Sequence, residues 1–123
     1  MAKITLGKTP KTFAPVTVKF SMPDGSEGQI ECVFKYRTRK GFGQFIADTF
    51  KGQTASGETD IAAIMAAAVD KNGAYLADAL DSWNLDEKLT AEAGAQLADE
   101  VPAAAAAIMA AYSRAVTEGH LGN

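Results

Sequence analysis

The sequence predicts an α+β fold, in which an N-terminal β-hairpin or small antiparallel sheet packs against four to five α-helices. Two patterns indicate this class: apolar residues alternate with polar ones early in the chain, and they recur at helical spacing further on. A length of 123 residues suits one domain with a modest core. We therefore expect residues 1–123 to form a single domain, without internal repeats.

The hairpin is predicted from two alternating segments on either side of a turn. In residues 15–22 and 30–37 every second residue is apolar, which is typical of strands buried on one face. The apolar positions are Val16, Val18, Phe20 and Met22 in the first segment and Ile30, Cys32, Phe34 and Tyr36 in the second. Residues 23–28 contain one proline and two glycines and are predicted to form the turn. Because a lone hairpin is unstable in water, we expect helices to cover its apolar face.

The first helix is predicted directly after the hairpin, with Thr38 as its N-cap and Gly52 as its stop. Its apolar face is formed by residues at helical spacing, namely Phe42, Phe45, Ile46 and Phe50. A polar loop is expected over residues 53–57.

A second helix is predicted to begin at residues 58–60 and to end at Asn72-Gly73. Its acidic first residues suit the positive end of the helix dipole. The face expected to point into the core carries Ile61, Ile64, Met65 and Ala68.

Three further segments have weaker or shorter helical patterns. Residues 75–83 have helical spacing but no clear boundary, and a short helix is predicted from Thr90 to Leu97. Pro102 favours the start of the last helix, because the first helical N–H needs no partner. The predicted inner stripe of this helix consists of Ile108, Met109, Tyr112, Ala115 and Val116.

The composition excludes several classes of protein. The single cysteine, Cys32, excludes an intramolecular disulfide framework and a cysteine-based zinc site, and is compatible with a reducing compartment. The first residues contain no apolar core of a signal peptide, and no run of 18 apolar residues predicts a membrane span. We therefore expect a cytoplasmic protein without a membrane contact.

Charge is distributed unevenly along the chain. Residues 1–51 contain nine Lys or Arg and four Asp or Glu, whereas residues 52–123 contain three and eleven. Such a division can indicate a basic arm for nucleic acid or an acidic surface for a partner. It also arises from two differently solvated faces of one domain, which is our interpretation.

The residue pattern gives little support to catalysis, a metal or a cofactor. His120 lies near the C-terminus, and Cys32 is predicted to lie on an apolar strand face where a thiol is inert. The acidic pairs Asp78/Asp81, Asp86/Glu87 and Asp99/Glu100 lack the spacing of a calcium loop and are expected to be solvated. We expect no catalytic, cofactor-binding or metal-binding residue.

The segment from Lys35 to Phe45 interleaves basic and aromatic residues with glycine, as nucleic-acid-binding strands do. Two of its aromatic residues, Tyr36 and Phe45, fall on faces predicted to be core. The isoelectric point of about 5.1 is also low for a nucleic-acid-binding protein. We therefore expect no nucleic acid partner.

Trp83 is the only tryptophan of the chain and follows a segment of helical spacing. One interpretation is that it anchors a loop to the core. The other is that it contacts a partner, because tryptophan is enriched in the energetic centres of interfaces. Trp83 is the one candidate partner-contact residue.

The order of these segments resembles the phage tail assembly chaperone family of long-tailed phages and prophages. The resemblance begins with residues 4–13, continues through Val16-Thr17-Val18, the Pro23-Asp24-Gly25 turn and Phe34-Lys35-Tyr36-Arg37, and includes Lys40 and Phe42. In the second half it includes Trp83, Pro102-Ala103-Ala104, Ile108, Tyr112 and Gly122-Asn123. The chain departs from the family pattern in its alanine-rich second half and at Asn84.

The resemblance implies a non-catalytic chaperone of the host cytoplasm that is absent from the mature virion. It implies binding of the tape-measure protein, which is kept soluble until tail-tube subunits polymerise around it. A longer, frameshifted form that recruits the tail-tube protein is a further implication, and a homo-oligomer is compatible with the family. Two other classes stay open: a structural tail component, such as a tube or terminator subunit, and a nucleic-acid-binding regulator.

Overall fold

The computed structural model describes residues 3–51 and 60–119. The predicted helix stop at Gly52, the loop expected over residues 53–57, the predicted start of the second helix at 58–59, and His120 lie outside the described residues. Within those ranges the chain forms β1 (Val16–Ser21), β2 (Glu27–Phe34), α1 (Arg39–Thr49), α2 (Ile61–Ala79), β3 (Leu80–Trp83), α3 (Ala91–Glu100) and α4 (Pro102–Glu118). The predicted α+β class, a small antiparallel sheet with helices, is confirmed.

The predicted hairpin is formed by β1 and β2, which pair antiparallel with Val16 opposite Cys32 and Val18 opposite Ile30. These four side chains are all buried, so the alternation in the sequence identified the face of the hairpin that packs into the core. The chain reverses between the strands at Gly25, whose φ of 89° is a conformation that side chains with a Cβ rarely adopt.

A third strand, which the sequence did not predict, completes the sheet in the order β1-β2-β3. β3 begins directly after α2. It pairs antiparallel with β2, so that Trp83 lies opposite Cys32, and the register of the two strands is irregular between Val33 and Phe34. Residues 75–79 of the segment with helical spacing do belong to α2, and only residues 80–83 form a strand. Four residues are too few for a period of two to be distinguished from helical spacing.

The core is centred on the aromatic ring of Tyr112 in α4, which is fully buried. Its ring lies 4.8 Å from Phe34 in a stacked arrangement, and it meets other rings edge to face. Those other rings belong to Phe13, Phe42, Phe45 and Tyr75. The predicted inner face of the first helix packs against α2 and α4, that of the last helix packs against β1 and β2, and both are therefore confirmed.

Helix α1 begins as the sequence predicts, because the Thr38 hydroxyl accepts a hydrogen bond from the Gly41 N–H at 3.0 Å. Thr90 caps α3 in the same way, through the Ala93 N–H at 3.0 Å. Pro102 is the first residue of α4, also as predicted.

The predicted end of the second helix at Asn72-Gly73 is wrong, since α2 continues to Ala79. Gly73 lies where α2 crosses α3: a Cβ at this position would be 2.5 Å from the Ala91 carbonyl oxygen and 2.6 Å from the Ala95 nitrogen. Gly94 of α3 faces it, with its own Cβ position 2.9 Å from the Gly73 carbonyl oxygen. Gly73 therefore allows α2 and α3 to approach each other closely, and it does not end α2.

The predicted inner face of the second helix is also wrong. The buried residues of α2, which are Gly73, Tyr75, Leu76 and Ala79, all lie in its second half. Ile61, Ile64 and Met65 are instead exposed, and Ala68 is half-buried. α2 has 19 residues and α3 has 10, so at 1.5 Å per residue α2 is longer by about 13 Å. The first half of α2 projects from the core.

Candidate partner-binding surfaces

The projecting half of α2 carries three of the five large apolar side chains that are exposed among the described residues. Residues 61–69, which we call the α2 projection, contain no charged side chain and are followed by Asp70. Ile61 is 68% exposed, Ile64 42% and Met65 62%. Isolated apolar residues are normal on a surface, but three large ones within five positions of one helix indicate a contact site.

The α2 projection is helical for local reasons. The Asp60 carboxylate accepts a hydrogen bond from the Ala62 N–H at 3.0 Å, which caps the helix. The alanines that follow have the highest helix propensity. A shallow depression of about 330 Å³ runs along the segment, lined by Ala62, Met65, Ala66, Val69, Asp70 and Asp99. This depression could accept apolar side chains of a partner helix.

Trp83 borders a second, smaller depression. Its indole N–H donates a hydrogen bond to the Glu87 carbonyl oxygen at 2.8 Å, so the ring holds the loop that follows β3. The side chain is only half-buried, and it lines a cavity of about 80 Å³ together with Leu85, Glu87, Ala93, Gln96, Leu97 and Glu100. We call this cavity the Trp83 pocket. The ring thus anchors a loop and also borders an open pocket, while its contact with a partner stays a prediction.

The N-terminal arm, residues 3–11, is the third surface. Ile4 is 86% exposed and Leu6 93% exposed, although both are large aliphatic residues. The end of the arm is fixed to the sheet, because the Tyr36 N–H donates to the Lys11 carbonyl oxygen at 3.0 Å. Sequence reasoning missed this surface, since no pattern in these residues shows that the aliphatic side chains stay outside the core.

The basic and aromatic segment from Lys35 to Phe45 contacts the core through some of its side chains, whereas Arg39 and Lys40 are exposed. Arg37 donates hydrogen bonds to the Tyr112 hydroxyl at 2.8 Å and to the Asp78 carboxylate at 3.4 Å, and its guanidinium lies 4.1 Å from the centre of the Phe45 ring. Lys35 also pairs with Asp78, at 3.8 Å. Phe45 is buried, as predicted, and Tyr36 is half-buried. Lys35 and Arg37 therefore link the net basic part of the chain, residues 1–51, to Asp78 in the net acidic part, residues 52–123.

The side chains considered for chemistry are dispersed. Cys32 is fully buried, and the acidic pairs of the second half are exposed. Among residues 3–51 and 60–119, no three His, Cys, Asp or Glu side chains are close enough to share a metal ion. Loss of solvation raises the pKa of the Cys32 thiol to about 12, which keeps it in the less reactive neutral form.

Stability should fall above pH 9 because of this thiol. In the unfolded chain its pKa is near 9.0, whereas burial raises the folded value to about 12. The unfolded state therefore loses a proton first, and the free energy of unfolding decreases as the pH rises from 9 towards 12. Burial also raises the pKa values of Tyr75 and Tyr112, which gives the same sign.

Chemical denaturation between pH 8 and pH 10.5 checks this expectation, with Cys32→Ala as the comparison. The variant should be less stable at pH 8 but should lose less stability on going to pH 10.5. Parallel pH profiles for the two chains would show that the thiol does not contribute.

The fold and its surfaces define a small α+β domain that carries exposed apolar surface suited to contact with other proteins. The family model of the phage tail assembly chaperone matches residues 1–123, so the chain belongs to the phage tail assembly chaperone family. Its role is accordingly that of a chaperone in tail assembly, with tail proteins as partners. No curated protein and no solved structure matches the chain. Over residues 3–51 and 60–119, no helix is both long and apolar enough to cross a membrane.

Proposed function

We propose that this chain binds the tape-measure protein of its tail system and keeps it soluble until tail-tube subunits polymerise around it. It acts by contact alone, in the host cytoplasm, and is absent from the mature virion. The observation that carries the proposal is the α2 projection: a helical segment of nine uncharged residues that the chain's own core leaves exposed.

The chemistry of the α2 projection suits a helical partner. Apolar stripes on a long helix aggregate when they have no cover, and a second apolar helix can cover them. The alanines at positions 62, 63, 66 and 67 would let the partner backbone approach, while Met65 can adapt to different side chains. A segment of this kind can bind many similar stripes along one filamentous protein.

Co-expression of the chain with the tape-measure protein from the same gene cluster tests the proposal. The soluble fraction of the tape-measure protein should rise, and a mixed complex should co-purify. Because the contact is mainly apolar, the complex should persist in about 0.5 M salt, where the Debye length is only about 4 Å. A complex held by nucleic acid would dissociate there.

The double variant Ile64→Ser/Met65→Ser should abolish this capture while the domain stays folded, because both side chains are exposed. The matched control is Ile4→Ser/Leu6→Ser, which makes the same kind of change in the N-terminal arm and should leave capture intact. Equal capture by both variants would contradict the role of the α2 projection. A stoichiometric amount of the chain in purified tails would favour a structural tail component instead.

A further inference from the structure

The depression along the α2 projection combines an apolar face with two carboxylates. Its apolar part consists of four residues that share one face of α2, namely Ala62, Met65, Ala66 and Val69. Asp70 of α2 and Asp99 of α3 belong to the same lining, which contains no Lys or Arg. A partner that covers the apolar face therefore also meets two negative charges.

These two carboxylates have no cation of their own chain. Both side chains are exposed, and within residues 3–51 and 60–119 no Lys or Arg forms an ion pair with either of them. Lys71 follows Asp70 in sequence, but its ammonium group donates a hydrogen bond to the Lys51 carbonyl oxygen at 3.3 Å. The negative charge at the depression is thus left for a partner to compensate.

This charge restricts the helices that fit the depression. A helix whose apolar stripe is bordered by Asp or Glu would place like charges beside Asp70 and Asp99, which is unfavourable, whereas Lys or Arg would pair with them. Long basic side chains also cover apolar surface with their methylene groups while the charged end stays at the edge. Charge complementarity therefore selects a basic amphipathic helix as the occupant. The excess of Asp and Glu over residues 52–123 agrees with an acidic surface for a partner.

We propose that the α2 projection, together with Asp70 and Asp99, docks those helical segments of the tape-measure protein whose apolar stripe is bordered by Lys or Arg. This proposal rests on the proposed function and adds the charge that a captured segment carries. The apolar contact holds the complex, while the two carboxylates select among the stripes of the partner and speed the encounter. Salt therefore weakens the selection and does not abolish the contact.

Model peptides test the charge preference on the full chain without the tape-measure protein. One peptide is an alanine-rich helix of about 20 residues with a leucine stripe bordered by lysines, and the other has glutamates in place of the lysines. In fluorescence anisotropy at low salt the lysine peptide should bind about tenfold more tightly than the glutamate peptide. In about 0.5 M salt the difference should shrink to about twofold, because exposed charges are then screened.

Charge reversal on the chain locates this preference. Asp70→Lys/Asp99→Lys should invert it, so that the glutamate peptide binds more tightly, and should leave the fold unchanged because both side chains are exposed. The matched control, Asp48→Lys/Asp81→Lys, makes the same change in net charge at exposed positions outside the depression. It should keep the preference for the lysine peptide, which separates a local effect from the net charge of the whole chain.

Three results would overturn the proposal: equal binding of the two peptides at low salt, no binding of either at millimolar concentration, or a preference that Asp70→Lys/Asp99→Lys leaves unchanged. Capture of the tape-measure protein is measured separately by co-expression with the same variants. It should fall for Asp70→Lys/Asp99→Lys and persist for the control. A charge preference towards the peptides without any capture would overturn the proposed function alone, and capture without a charge preference would overturn this proposal alone.

Discussion

Replacing Tyr112 with alanine is expected to lower the free energy of unfolding by about 3–5 kcal/mol, as other buried aromatic truncations do. The ring is fully buried and meets aromatic residues from β2, from α1, from α2 and from Phe13, which precedes β1. Its removal would leave a cavity where these elements join. Chemical denaturation measures the loss, and Arg114→Ala, an exposed change on the same helix, should alter stability by less than about 0.5 kcal/mol.

The variant Tyr112→Phe separates the ring from its hydroxyl. The hydroxyl donates to the Lys35 carbonyl oxygen at 2.9 Å and accepts from Arg37 at 2.8 Å. Because Arg37 keeps its contacts with Asp78, the loss of the hydroxyl should cost about 1–2 kcal/mol. If the phenylalanine variant were as unstable as the alanine variant, the polar contacts would outweigh the packing of the ring.

Replacing Gly73 with alanine is expected to destabilise the domain by about 1–3 kcal/mol, the usual cost of overpacking, although alanine favours a helix. The added Cβ would meet backbone atoms of α3 at 2.5 and 2.6 Å, and a backbone cannot move aside as a side chain can. The two helices would have to separate along their whole contact.

Gly43→Ala is the matched control for this change. A Cβ at Gly43, also within a helix, would have no atom within 4 Å. The same substitution should therefore stabilise the domain there, by about 0.5–1 kcal/mol. Thermal or chemical denaturation gives both values, and the same sign at both positions would contradict the close approach of α2 and α3.

The sequence was sufficient for elements whose signals are local. The alternation from Val16 to Phe34 identified the hairpin and its buried face, and the side chain of Thr38 identified the start of α1. Pro102 did the same for α4. In each case the residues that cause the structure lie next to one another in the chain.

The errors concern contacts between distant segments. The pair Asn72-Gly73 is typical of a helix end. Only the close backbone of α3 explains why Gly73 lies inside α2. The spacing of a buried face is found at Ile61, Ile64 and Met65. These residues are nevertheless exposed, because α3 is the shorter helix, and no pattern in the sequence of α2 reveals the length of α3. Helical periodicity shows which residues share a face and does not show whether that face has a neighbour.

The candidate surfaces were predictable only in part. Trp83 was recognised from its residue type, since a single tryptophan at the end of an element suggests either an anchor or a contact. The pocket beside it combines the loop after β3 with residues of α3, and this combination depends on the fold. The exposed arm and the α2 projection required the structure, because apolar residues in a sequence are expected to be inside.

The position of Tyr112 also determines the order in which a nascent chain can fold. Its hydroxyl meets a carbonyl group 77 residues earlier, and β3 pairs with a strand that precedes it by about 50 residues. The hairpin emerges first during synthesis but has no cover until α4 follows, so the domain cannot complete its core stepwise from the N-terminus. Contacts this distant in sequence slow folding. A chain interrupted before α4 would expose the aromatic core and would be a substrate for proteases and folding factors.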